Sequence, residues 1–409
     1  MMARPRPIYV VATLDTKFSE ARFVADAIAA CGEAAMLVDV GTLAPPGGEA
    51  DIDRAAVARH HPDGAPAVLA HSDRGSAVTA MSLALRGFLG EAVAAGRCAG
   101  VIGLGGTGGT SMIARAMQAL PVGFPKVMVS TVASGDTSSY IGTSDIMLMP
   151  SVVDVAGLNR VSRQVFRNAA GAIAGAVRAR PEQRDDGGAA AIGVTMFGVT
   201  TPCVTSVRAM LEGEGADVLT FHATGAGGRA MEDLVASGLL DGVLDITTTE
   251  VADEIVGGIF PCGPDRFERM LDRRLPYVLS LGALDMVNFG PLDSVPAQFR
   301  ERRLHVHNAS ITLMRTSVDE NIACARWIAG KLNAYPDAGF VLLIPEGGVS
   351  ELDRPGNPFH DPEADAALFA TLEASVAQGP NRTITRHPLH INDPAFAQAV
   401  VDAYRRLAR

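Results

Sequence analysis

Short uninterrupted apolar runs recur along this chain, each closed by a polar or glycine-rich turn and followed by a segment with helical spacing. Residues 8–14 form such a run, and the segment after it places Val24, Ala27, Ile28 and Cys31 at i, i+3, i+4 and i+7. A strand that is apolar at every position is buried on both faces, as happens where helices cover both sides of a parallel sheet. Residues 35–40, 100–104, 126–130 and 146–149 continue the strand pattern, with helices expected over 19–31, 75–95, 110–119 and 158–178. Residues 180–188 are polar and rich in breakers, and read as a linker. The rhythm then restarts: a strand over 190–197, a helix opening at Thr201-Pro202 and a strand over 218–222. The expected fold is α/β: two Rossmann-like parallel-sheet domains, 1–180 and 189–409, with a cleft between them.

A chain of 409 residues is long enough for two such cores. Its net charge of −10, with no basic run, argues against a nucleic-acid or membrane-surface partner. The five cysteines are dispersed and form no CxxC pair, which suits reduced core residues. The apolar run at 8–14 is short for a signal peptide, and no uncharged apolar stretch reaches membrane-spanning length, so a cytoplasmic protein is expected. Three lysines, Lys17, Lys126 and Lys331, stand among 35 basic residues.

In wound sheets of this kind ligands bind beyond the C-terminal ends of strands, and the polar motifs follow strands. The sharpest is Gly103-Leu104-Gly105-Gly106-Thr107-Gly108-Gly109-Thr110-Ser111, a turn that opens a helix. Glycines let backbone N–H groups approach an anion, and the helix terminus adds a favourable dipole. The GxGxxG spacing formally matches a dinucleotide fingerprint, but the next strand ends in Ser130-Thr131 without the acid that would hold a ribose. A phosphate-bearing ligand other than NAD is expected; a tight packing turn is the alternative. Thr13, Asp15, Thr16 and Lys17 follow the first strand, where Lys17 could neutralise phosphate and Asp15 could hold Mg²⁺, or where these residues simply cap a helix. Asp39 ends the second strand, in the position of a ribose-binding acid or a solvated strand end. Ser134, Gly135, Asp136 and Thr137 follow the strand at 126–130 and could complete the pocket, or form a capped surface turn.

The segments ATLDTK, GLGGTGGTS and TVASGDTSSYIGTSDI resemble the Tm-one-like ATP-binding domain family, which takes in the N-terminal domain of a plant virus-resistance protein and many bacterial proteins. The second half resembles it through ITTTEVADEIVGGIF, GALDMVNFG, HNASITLMRT and IPEGGVSELD, so the likeness covers nearly the whole chain. It implies two Rossmann-like subdomains, ATP with Mg²⁺ at the first, and a homodimer or higher homo-oligomer.

The second half has its own polar groups. His222, Gly225, Gly227 and Gly228 form another glycine-rich turn that could hold the anion of a substrate or pack tightly. Thr248, Thr249, Glu250 and Asp253 follow the next strand; Glu250 and Asp253 are three apart, so both can share a helical face as an acid–base pair or be favoured there by the dipole. His305 and His307 lie on one side of a strand, and Asp285, Glu250 and His222 could extend them toward a metal site. His60-His61 read as surface or packing residues. The functional expectation is an ATP-dependent enzyme that acts on a small carboxylated metabolite held by the second domain. The alternatives are a nucleotide-binding regulatory protein without turnover, and a hydrolase or lyase centred on the second domain with ATP as effector.

Overall fold

The computed structural model describes residues 6–42, 48–70, 73–180 and 188–408. Residues 181–187, most of the expected linker, lie outside them. The chain divides into two compact units, residues 1–185 and 186–409.

Among the described residues the first unit holds five strands: β1 (Ile8–Ala12), β2 (Ala35–Asp39), β3 (Gly100–Gly105), β4 (Lys126–Ser130) and β5 (Met147–Pro150). They form one parallel sheet in the order β2-β1-β3-β4-β5. Alternate residues of β1 serve different cores. Ile8, Val10 and Ala12 join Val24 and Ile28 of helix Leu14–Ala30 and Phe166 and Ile173 of helix Arg160–Ala179. Tyr9 and Val11 join Met81, Leu85 and Leu89 of helix Arg74–Ala94 and Ile113 and Met117 of helix Thr107–Gln118. That is why β1 is apolar throughout. Helix Arg74–Ala94 is long and apolar enough to cross a membrane by length and composition. Here it is a core helix.

The chain winds from β1 outward to β2, and from β3 outward to β4 in the opposite direction. The connections that leave the C-terminal ends of β1 and β3 therefore run in opposite directions, which opens a crevice there.

In the second unit, β6 (Ala191–Met196), β7 (Asp217–His222), β8 (Gly242–Thr247) and β9 (Tyr277–Gly282) are followed by β10 (Met286–Phe289), β11 (Leu304–Asn308), β12 (Ile311–Arg315), β13 (Phe340–Pro345) and β14 (Arg382–His387). The main sheet is parallel, in the order β14-β13-β9-β8-β6-β7, which repeats the winding of the first unit with one further strand. The antiparallel sheet β10-β12-β11, inserted between β9 and β13, departs from the strand–helix alternation expected from sequence. Ala283, at φ 57°, turns the chain out of β9 into it.

Candidate functional site

At the C-terminal ends of β1 and β3 the structure has a cavity of about 500 Å³, within the usual range for small-ligand sites. It is lined by Thr13, Asp15, Thr16 and Lys17 after β1, by Gly106 to Gly109 after β3, and by Arg74 at the start of its helix. Two loops far apart in sequence are thus brought together.

The glycines of the second loop divide by role. Gly105 is a packing glycine: a Cβ there would lie 2.8 Å from the Thr110 nitrogen. Gly106 and Gly108 face open space, the nearest atom to a Gly106 Cβ being Thr131 Oγ1 at 3.8 Å. Gly106 is the N-cap of helix Thr107–Gln118, with no side chain capping that end and no acid in its first turn. Thr110 is turned inward and shares a 2.7 Å hydrogen bond with Ser130 Oγ, pinning the start of helix Thr107–Gln118 to the end of β4. The exposed edge of the turn is therefore made of Gly106, Thr107, Gly108 and Gly109.

The first loop is held from beneath. Asp39 is buried rather than solvated, and its Oδ1 accepts from the backbone N–H of Leu14 at 3.0 Å and of Gly41 at 2.8 Å. Burial raises its pKa, against the pull of those two donors. Thr13 and Thr16 hydroxyls meet at 3.2 Å. Lys17 breaks the helical backbone at φ −129° and donates one proton to the Val155 carbonyl. An ammonium has three donors, so this tether positions Lys17 without exhausting it. Lys126 and Lys331, by contrast, are paired with Asp145 and Glu268. Ser134, Gly135 and Asp136 are exposed and Thr137 partly so, and none of the four lines the cavity. Asp136 accepts from Ser138 N and Oγ, and the hydroxyl bond lowers its pKa.

Arg74, Thr42 and Asp73 also line the cavity, and no sequence motif marks them. The signal for Arg74 and Asp73 is positional: a helix packed antiparallel to the strands of a wound sheet starts at their C-terminal edge.

In the second unit the glycine turn is closed. Glu250 Oε1 accepts from Gly225 N at 2.6 Å and Gly228 N at 3.2 Å. The anion those amides were expected to take from a substrate is the protein's own carboxylate. A Cβ on Gly227 would fall 1.9 Å from the His222 carbonyl oxygen, and one on Gly228 2.3 Å from Glu250 Oε2. Behind Glu250 lies Arg266, fully buried, with a bidentate pair to Asp245 at 2.7 and 2.8 Å and Nε 3.1 Å from Glu250. Glu232 completes the cage, its pKa pushed up to about 7 chiefly by burial.

Asp253 does not share Glu250's surroundings. It accepts from Asn288 N at 2.7 Å and Phe260 N at 2.8 Å and staples helix Glu250–Val256 to β10. Burial pushes its pKa up to about 7. Thr248 and Thr249 are buried, the former bonded to the Ser280 carbonyl. Asp285 is buried with Ser350 Oγ at 2.7 Å. His307 is exposed on β11, and His222 is exposed with its ring against Phe197. No group of three or more His, Cys, Asp or Glu converges as a metal cage among the described residues.

Known proteins match along the same division. The model of the N-terminal domain of the uncharacterised protein family UPF0261 matches residues 6–182, and that of its C-terminal domain matches 189–408. The chain belongs to this family. A UPF0261 protein of Rhizobium meliloti is 53% identical over 401 residues, covering 98% of this chain and 99% of the relative. One from Clostridium tetani is 44% identical over 397 residues, 97% of each chain. The ToMV resistance protein Tm-1(GCR237) of Solanum lycopersicum is 46% identical over 420 residues, covering 98% of this chain and 56% of the tomato protein. The likeness to Tm-1 proteins read from the sequence motifs is thus shown along the whole chain.

Proposed function

We propose that the first unit binds the phosphates of a nucleotide at Gly106–Gly109, and that the ligand is ATP with Mg²⁺, as the resemblance to the Tm-one-like family implies. The observation that carries this reading is an uncapped, acid-free helix N-terminus opening into a cavity that also contains Lys17 and Arg74. Backbone N–H groups at such a terminus favour phosphate, and the two cations would offset its charge. Mg²⁺ keeps several waters and takes one or two protein carboxylates, so Asp15, beside the hydroxyls of Thr13 and Thr16, is a donor set that fits. ATP would supply a transferable phosphoryl or adenylyl group. An ATP-dependent reaction on a small carboxylated metabolite is the enzymatic form of this proposal, with positioning and charge stabilisation as the protein's main contribution.

Calorimetry with Mg·ATP on the wild type and on Gly106→Val tests the site. A Cβ at Gly106 meets no atom closer than 3.8 Å, so the valine is expected to keep the turn while covering its N–H groups. Binding by the wild type that Gly106→Val loses supports the proposal. Equal binding by both, or none by the folded wild type, overturns it.

A further inference from the structure

A second and larger depression, of about 950 Å³, lies on the first unit. Three elements build it. Ser76, Thr79, Leu83 and Arg86 form a stripe at helical spacing along helix Arg74–Ala94; Arg115 comes from helix Thr107–Gln118; His61 comes from the segment before them. The two helices are fastened to each other by the 3.0 Å bond from Ser82 Oγ to the Met112 carbonyl, so the groove between them is fixed.

Its charges are unevenly engaged. Asp73 caps helix Arg74–Ala94 through Ser76 N at 2.8 Å, and Asp63 lies against His61 with Oδ2 3.8 Å from Nδ1. Arg86 and Arg115 are exposed and have no hydrogen-bond or ion-pair partner among the described residues. His61, with a side chain only 9% exposed, accepts from Asp63 N at Nδ1, 3.1 Å. The neutral ring then carries its proton on Nε2, and Nε2 has no partner among the described residues. Two guanidinium forks and an imidazole thus line one cavity, and such forks recognise carboxylate and phosphate oxygens in two-point fashion.

We propose that this depression is a binding site for a small carboxylate- or phosphate-bearing molecule, held by Arg86 and Arg115 with His61 Nε2–H as a further donor. It shares Asp73 with the lining of the glycine-loop cavity, so its occupant sits next to that site. The small acid expected in the second unit is thereby assigned to the first, whose neighbouring pocket is open where the second unit's glycine turn is filled by Glu250. The assignment does not depend on the nucleotide reading.

The test is calorimetry on the full chain with two probes, succinate and inorganic phosphate, each up to about 10 mM. Wild type is compared with an Arg86→Ala, Arg115→Ala double variant, exposed helical sites where alanine preserves the fold. Binding of either probe that falls about tenfold or more in the double variant supports the site, and the probe that binds tells carboxylate from phosphate. No binding of either probe to wild type, or equal binding in the double variant, overturns it. Mg·ATP titrations separate the two proposals. Gly106→Val is expected to keep the probe even where it loses ATP, whereas loss of ATP binding in the arginine double variant would assign these arginines to the nucleotide and overturn the second site.

Discussion

The two units wind their sheets in the same strand order, and each carries a glycine-rich turn between a strand and a helix, yet the turns do opposite things. At Gly106–Gly109 the space beyond the backbone is open and the helix start is uncapped. At Gly225–Gly228 the amides close on Glu250 and the glycines are demanded by protein atoms within 3 Å. One sequence signature therefore has two structural outcomes: amides left open at Gly106–Gly109, and amides closed on the chain itself at Gly225–Gly228. What separates them is the partner of the amides.

The comparison predicts its largest effect at Glu250. Removing it leaves Arg266 short of a carboxylate and two buried amides without an acceptor. Breaking a buried ion pair from one side typically costs about 3–5 kcal/mol, so Glu250→Ala should lower the urea midpoint of the second unit sharply. The sole tryptophan, Trp327, packs edge-on against Phe267 beside Arg266 at 5.8 Å, so its fluorescence reports this unit. A Glu250→Ala protein with an unchanged tryptophan transition would show that the cage contributes nothing. Glu250→Gln, which keeps the acceptor but not the charge, should fall between.

A smaller effect distinguishes the units by pH. Glu232, Asp253 and Asp285 are pushed up to about 7 and Asp365 to about 8, burial being the leading cause in each. All four lie in the second unit. A carboxyl whose folded pKa is raised contributes stability that is complete below its unfolded pKa and is lost as pH rises through the folded value. The tryptophan-detected midpoint should therefore fall as pH goes from about 4 to about 8. Asp365 receives Arg315 at 2.6 Å and is coupled by charge to Asp353 and Asp285. Asp365→Asn keeps an acceptor and removes a titration, so it should flatten that fall; an unaltered slope would exclude Asp365 as a source.

Much of this was legible in the sequence because strands buried on both faces announce themselves as apolar runs. The strand expected over 126–130 is β4 residue for residue. The antiparallel insert was not legible as such: the strand bearing His305 and His307 was expected and is β11, but β10 is only four residues long, and neither is followed by the helix that marks the others. The loops after β1 and β3 were legible as polar strand ends. Arg74 was not, since it is brought to them only by the packing of a helix 57 positions beyond Lys17 (74 − 17). Nor was the closure of Gly225–Gly228, which depends on Glu250 more than twenty residues away.

The smallest expected change in stability is at Gly108, and it is the sharpest probe of the contrast. A Cβ there meets nothing within 4 Å, and the residue lies in the first turn of a helix, where alanine is the better former. Gly108→Ala should shift unfolding by no more than about 0.5–1 kcal/mol, in the stabilising direction. The corresponding change in the second unit, Gly228→Ala, drives a methyl into Glu250 and Arg266 and should be clearly destabilising. If the exposed amide edge is a phosphate seat, Gly108→Ala should also weaken Mg·ATP binding without harming the fold, because the methyl stands where an oxygen must approach. Thermal unfolding and calorimetry on the same two variants read both quantities. Equal destabilisation by the two alanines would mean that the first turn, like the second, exists to pack against its own chain.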